Sequence, residues 1–302
     1  MKLAVEFPSV AYREGGEGVI RLARGIEEIG FDQLDVFDHV VMGYPTQSRD
    51  TPRYPPQMPV MEALMLLSYV SSATSKIGIG TEVLVLPQRQ PVLVAKQVST
   101  LDVLSGGRVR LGVGVGWQAS EYDALDQDFS NRGERMDDAI EILRSYWDHP
   151  EVTYEYKNYS STSMALEPKP PQGKNLPIWI GGNVERTFRR VGELGNGWLA
   201  TAITDPEIAK ACKNKIAQYA ESAGRNPSEI GYQMMLDIPP TDAQGKQFYK
   251  NLDLVTKRAH EVSEWGFEWG AINATAIFQA GYRSIDEILS RLEAVYNAIQ
   301  NY

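Results

Sequence analysis

Short apolar runs rich in β-branched residues alternate with longer amphipathic stretches along the whole chain. Residues 2–8 predict a strand and residues 17–29 the helix behind it, with Gly30 placed just past the last apolar turn as a stop. The alternation then repeats. Strands are predicted at 33–39, 76–86, 108–116, 177–182, 197–201, 230–238 and 270–276. Helices are predicted at 60–73, 91–104, 132–147, 184–194, 206–223, 252–265 and 285–299, with Pro91 suited to a first helical turn and Gly106 to a stop. Eight strand-then-helix units result, and the strands are largely apolar on both faces, as a helix-covered parallel sheet requires. The pattern predicts an α/β chain folded as one (β/α)8 TIM barrel over residues 1–302. An open doubly wound sheet needs fewer units and a glycine-rich first turn, which is missing here.

Two stretches break the rhythm. Residues 151–172 contain a strand-like VTYEY and a proline-rich return, too short for a core of their own, and read as an insertion between units four and five. Residues 42–59 carry five prolines and two tyrosines. They follow the second strand, on the face where barrels place their sites, and would form either a surface loop or a pocket wall.

Composition narrows the function classes. A length of 302 residues, 43% of them hydrophobic and 23% charged, is ordinary for one barrel with a large core. The one cysteine, Cys212, leaves no internal disulfide and suits a reducing, cytoplasmic setting. No apolar run reaches about 18 residues, so no membrane span is expected, and the strand-like start does not read as a secretory leader. A net charge of -9 argues against a nucleic-acid partner, while an anionic small molecule needs only local donors.

Barrel ligands sit at the C-terminal ends of strands, so those ends carry the candidates. The second strand ends in Asp38 and His39, an imidazole placed to give or take a proton or to pack structurally. The other histidines, His149 and His260, fall behind or within helices, so no converging metal ligands are expected. Glu82 interrupts an apolar third strand and is expected either to bond inside the barrel or to face the site. Gly112, Gly114 and Gly116 bare one face of the fourth strand, where a flat ring could approach, with Trp117 and Glu121 at the border. Gly181 and Gly182 run into a helix start, a place for an anion, with Thr201 beside them. Tyr44, Tyr54 and Trp117 suggest an aromatic pocket.

Taken in order, PVLVAKQVSTLDVLSGGRVRLGVGVGW, RGERMDDAIEILRSYW, PIWIGG and NGW resemble the bacterial luciferase-like superfamily of flavin and deazaflavin oxidoreductases. The resemblance runs from residue 1 to about residue 198 and is nearest to the F420-dependent subgroup. It implies F420 as cofactor, with FMN as the alternative, and hydride transfer to or from a small organic substrate. An FMN monooxygenase or a catalytically idle flavin binder are the alternatives. It implies that His39, preceded by Asp38, lies near the reactive edge of the ring as the catalytic pair. It also implies a non-prolyl cis peptide in a bulge at Glu82–Val83, next to Thr81, supporting the ring's face. Gly114 and Gly116 would border the ring, while Gly181, Gly182, Asn183 and Thr201 would hold the phosphate. Some deazaflavin dehydrogenases carry a catalytic Glu where this chain has Trp117. Such relatives often form dimers, which makes a homodimer the expectation.

Overall fold

Arg110 donates to Asp35 at 2.5 Å and to Gln233 at 2.9 Å, although these three residues belong to strands that are not neighbours in the sheet. Such contacts can only cross the inside of a closed barrel. The structure is a computed structural model describing residues 1–8, 10–50, 53–237 and 245–301.

The ring begins with β1 (Lys2–Glu6), which pairs in parallel with β2 (Gln33–Val36) on one side and β11 (Trp269–Asn273) on the other. β2 continues to β3 (Gly78–Thr81), which pairs with β5 (Val109–Gly114); the short β4 (Leu84–Val85) also lies on β5. β8 (Ile178–Gly181), β9 (Gly197–Ala200) and β10 (Gly231–Met235) complete the circle back to β11. Counting β3 and β4 as one interrupted strand, this is the expected eight-stranded parallel TIM-type barrel.

Alternation along each strand sorts the side chains. Leu3, Val5, Leu34, Ile79, Leu111, Ile178 and Trp198 join the buried apolar shell under the helices. Each such side chain contributes about 1.5–3 kcal/mol on burial. The intervening positions point inward and include Gln33, Asp35, Arg110, Trp179, Gln233 and Trp269. The Arg110 guanidinium lies 4.6 Å from the ring centre of Trp179 and 4.9 Å from that of Trp269. This stacked cation fills the lower interior.

The helices match the periodicity within a few residues: α1 (Gly15–Ile29), α2 (Ala63–Ser71), α3 (Pro91–Ser105), α5 (Arg132–Asp148), α6 (Glu185–Leu194), α7 (Pro206–Ser222), α8 (Leu252–Glu264) and α10 (Ile285–Gln300). Gly30 and Gly106 end α1 and α3 in the left-handed conformation, as their positions predicted.

The differences lie at junctions. The predicted third strand is split by a cis peptide at Glu82–Val83. The predicted strand 270–276 stops at Asn273, whose side chain accepts from the Ala276 N–H at 3.0 Å and starts α9 (Ala274–Gln279). A short α4 (Ala119–Ala124) follows β5 where no helix was predicted. The predicted seventh strand, 230–238, is seen as Gly231–Met235, and its expected last residue, Ile238, lies outside the described residues. The insertion is a hairpin of β6 (Val152–Glu155) and β7 (Ser160–Met164). It lies along α5, with the Tyr159 hydroxyl accepting from Arg135 Nε at 3.0 Å and Tyr154 edge-on to Tyr146.

Candidate functional site

β2 ends at Val36, and the chain then turns so that His39 lies buried at the mouth of the barrel. Its Nδ1 is 3.1 Å from Oε2 of Glu121, which α4 presents from the opposite side of the turn. The other oxygen of Glu121 accepts from the Val40 N–H at 2.5 Å, and Gln118 donates to the Val41 carbonyl at 2.7 Å. α4 thus grips three successive residues of the strand-two tail. Burial pushes the Glu121 carboxyl up, but the His39 and Val40 donors outweigh it and hold the group below its ordinary value. An ionised carboxylate only accepts, so Nδ1 of His39 carries the proton and Nε2 is left for chemistry.

Asp38 does something different. Its Oδ2 accepts from the Val85 N–H at 2.9 Å, and Arg89 grips both oxygens at 2.7 and 2.8 Å. The carboxylate is therefore engaged on both sides, tying the strand-two tail to β4.

The cis peptide falls where the resemblance put it, and Val83 beside it explains the glycines. A Cβ on Gly114 would lie 2.5 Å from Val83 Cγ2, and one on Gly181 2.7 Å from Val83 Cγ1. A Cβ on Gly112 would overlap the Thr81 carbonyl at 1.8 Å, and one on Gly116 would meet Val85 at 2.6 Å. The expectation that these glycines leave an open face for a ring is corrected: the bulge itself fills that space. Thr81 is also turned into the sheet, buried, with its hydroxyl donating to the Gly112 carbonyl at 2.6 Å.

Gly181 and Gly182 lead into α6, and Gly182 has a φ of 125°, a conformation suited to glycine. Trp198 donates to the Gly182 carbonyl at 2.7 Å, and Asn183 donates to the Thr201 hydroxyl at 2.5 Å. No side chain caps α6; the Thr187 N–H turns back to the Val184 carbonyl at 2.8 Å, and the N–H groups of Glu185 and Arg186 are left for an incoming acceptor. Glu185, the acid of that turn, is held aside by Tyr219 at 2.8 Å and by Lys215. The loop offers backbone donors suited to a phosphate, as a phosphate-bearing flavin-type cofactor requires.

Residues 4–243 match the model of the luciferase-like monooxygenase family. The chain belongs to that family. Among its relatives is an uncharacterized protein of Mycobacterium tuberculosis, 31% identical over 222 residues, 70% of this chain and 74% of the relative. An F420-dependent glucose-6-phosphate dehydrogenase of Nocardia farcinica is 25% identical over 87% of this chain and 78% of its own. The fold is shared with a monooxygenase from Streptomyces bottropensis, at a TM-score of 0.78 and 17% identity over 100% of this chain and 99% of that one. It is also shared with an F420-dependent secondary alcohol dehydrogenase in complex with an F420–acetone adduct, at 0.77 and 18% over 99% of each chain.

Several features of this luciferase-like barrel were not legible in the sequence. Glu121 was read only as a border residue; its bond to His39 spans 82 positions. Tyr54 and Trp117 pack edge-on around His39, with ring centres 5.7 and 5.6 Å away, so Tyr54 brings the loop after β2 against the imidazole. Tyr44 is exposed and stands apart from this trio, its hydroxyl accepting from Gln57.

Below the trio the barrel interior is acidic. Glu82 accepts from Gln233 at 2.9 Å, Asp237 accepts from Tyr249 at 3.1 Å, and Glu6 lies at the end of β1. Burial, followed by the charge of Asp35, raises Glu82 to about 8 against the pull of Arg110. Burial raises Asp237 to about 6 and, with Glu82 and Asp237 nearby, drives Glu6 well above its ordinary value. Among the described residues, no group of His, Cys, Asp or Glu converges as metal ligands do. No described helix is long and apolar enough to cross a membrane.

Proposed function

We propose that this luciferase-like barrel is an F420-dependent oxidoreductase acting on a small organic substrate, with His39 as its proton-handling residue. The observation that carries the reading is the His39–Glu121 pair, fixed in one tautomer at the same strand ends as the Glu82–Val83 bulge and the phosphate cradle. The deazaflavin, when bound, supplies the hydride acceptor or donor that no side chain can provide. The protein's own residues do the rest. Val83 and its peptide give the ring a floor, and Gly182, Asn183 and the start of α6 take its phosphate. Nε2 of His39 accepts a proton from the substrate, or returns one, while Glu121 stabilises the imidazolium that forms. Tyr54 and Trp117 keep water from the imidazole. Asp38 acts as a brace, through Arg89 and Val85, rather than as a second proton carrier.

F420 is favoured over FMN because relatives matched over most of the chain are F420-dependent dehydrogenases. Trp117, standing in place of a catalytic Glu, argues against a sugar phosphate as the substrate. The test is to titrate the purified protein with F420 and with FMN separately, then assay turnover with and without oxygen. F420 binding with oxygen-independent turnover supports the reading. Tight FMN binding with none for F420 overturns it, and oxygen-dependent turnover would make the enzyme a monooxygenase.

A further inference from the structure

Glu6 is only 9% exposed, and no side-chain or backbone donor among the described residues bonds its carboxylate. Burying a carboxylate without a partner is costly, so this acid keeps its proton unless a cation comes to stand beside it. Its neighbours make the cost larger. Asp35 is its register partner on β2, and the Tyr249 hydroxyl joins Asp237 to the N–H of Asn273, its register partner on β11; these acids and Glu82 are all of the same sign. The interior cation, Arg110, is committed to Asp35 and stacked between two tryptophans. Arg53, the cation that acts on Glu6, is exposed on the loop and rests 5.7 Å from the Tyr54 ring.

Aromatic surface lies above this acid floor. The Tyr54 and Trp117 ring centres are 6.0 Å apart, and the Tyr54 hydroxyl is itself raised by burial and by the charges of Glu6 and Asp237. The same pocket therefore combines ring faces with carboxylates. That pairing suits an organic cation, which the ring quadrupoles attract and whose charge would take the place of a proton held by the buried acids. It repels carboxylates and phosphates. A bare metal ion does not fit, since the acids do not converge as a metal's ligands would.

We infer that the mouth of the barrel is a subsite for a protonated amine, with the ammonium group beside Glu6, in the field of Glu82 and Asp237, and the carbon skeleton on Tyr54 and Trp117. The inference rests on the oxidoreductase reading for its meaning, as it names the substrate class of that same pocket. Neither the His39–Glu121 pair nor the phosphate cradle is part of the ammonium contact.

The experiment is calorimetric titration with three probes of one skeleton: n-butylammonium, butan-1-ol and butyrate. Each is added to the protein alone and to the protein saturated with whichever of F420 or FMN binds. Butylammonium is expected to bind at least about tenfold tighter than butan-1-ol, with butyrate weakest. Glu6→Gln, and separately Asp237→Asn, should each reduce the ammonium affinity about tenfold while the alcohol stays within about twofold. Both changes remove charge from a crowded acid cluster, so thermal melts should show folded proteins of equal or higher stability. Equal binding of amine and alcohol, or unchanged amine affinity in both variants, overturns the inference. Cofactor binding measured on the same samples separates the two readings. A bound cofactor with no amine preference sinks only the subsite, and an amine preference with neither cofactor bound upholds the subsite and sinks the cofactor reading.

Discussion

His39 and Glu121 meet at 3.1 Å across the barrel mouth, one from the tail of β2 and the other from the short α4. The contact settles which nitrogen of the imidazole holds the proton, and so which is free. Glu121→Gln should retain the packing but lose the charge. Turnover is expected to drop about 10- to 100-fold, the scale for losing a group that orients a histidine. His39→Ala should cost more, about 10²- to 10⁴-fold. Unchanged turnover in Glu121→Gln would remove Glu121 from the mechanism.

Asp38 makes the opposite prediction. Asp38→Ala strands the guanidinium of Arg89 and the Val85 N–H, and should destabilise the fold by about 3 kcal/mol in urea unfolding. The pH dependence of whatever turnover remains should keep its wild-type shape. A variant of undiminished stability with abolished turnover would instead make Asp38 a proton carrier.

Val83 and Gly114 should be coupled. Gly114→Ala places a Cβ 2.5 Å from Val83 Cγ2 and forces the bulge to shift, an overpacking worth about 1–3 kcal/mol and a loss of cofactor affinity. Val83→Ala removes the offending methyl groups and leaves a Cβ contact of 3.5 Å. The double variant should therefore recover much of the stability lost in Gly114→Ala. A double-mutant cycle gives the number, and simple additivity would refute the contact.

Glu82 makes stability depend on pH in a definite direction. Its carboxyl titrates near 8 in the fold and near the ordinary 4.5 once unfolded. Between those values the native state holds the extra proton, so stability falls as pH rises through this window and this group adds no further loss above it. Asp237, raised from 3.8 to about 6, steepens the lower part of the fall. Melting temperatures followed from pH 5 to pH 8 should decline about twice as steeply in the wild type as in Glu82→Gln. A variant curve parallel to the wild type would show that Glu82 is ionised throughout.

The barrel and its order of elements were readable because period and punctuation are local properties. Gly30, Gly106 and Pro91 sit where helices end or begin, and alternating inward and outward residues mark each strand. The bulge at Glu82–Val83 and the loop at Gly181, Gly182 and Asn183 were legible through resemblance, since each is a contiguous signature. What was not legible are meetings of distant residues. Arg89 reaches Asp38 across 51 positions, and Glu6 faces Asp237 only because β1 and β10 curve to the same mouth. The glycines of β5 misled for the same reason. A missing side chain records that something comes close, and here the neighbours were Thr81 and Val83 at the bulge between β3 and β4.

Arg110, wedged between Trp179 and Trp269, has a kinetic consequence. A cylinder plugged at its base has a single doorway, so every molecule that enters must leave by the route it came. Whatever lies deeper arrives first and departs last. Cofactor and substrate would then form a queue, and product-inhibition patterns should show strict order rather than free exchange at two gates.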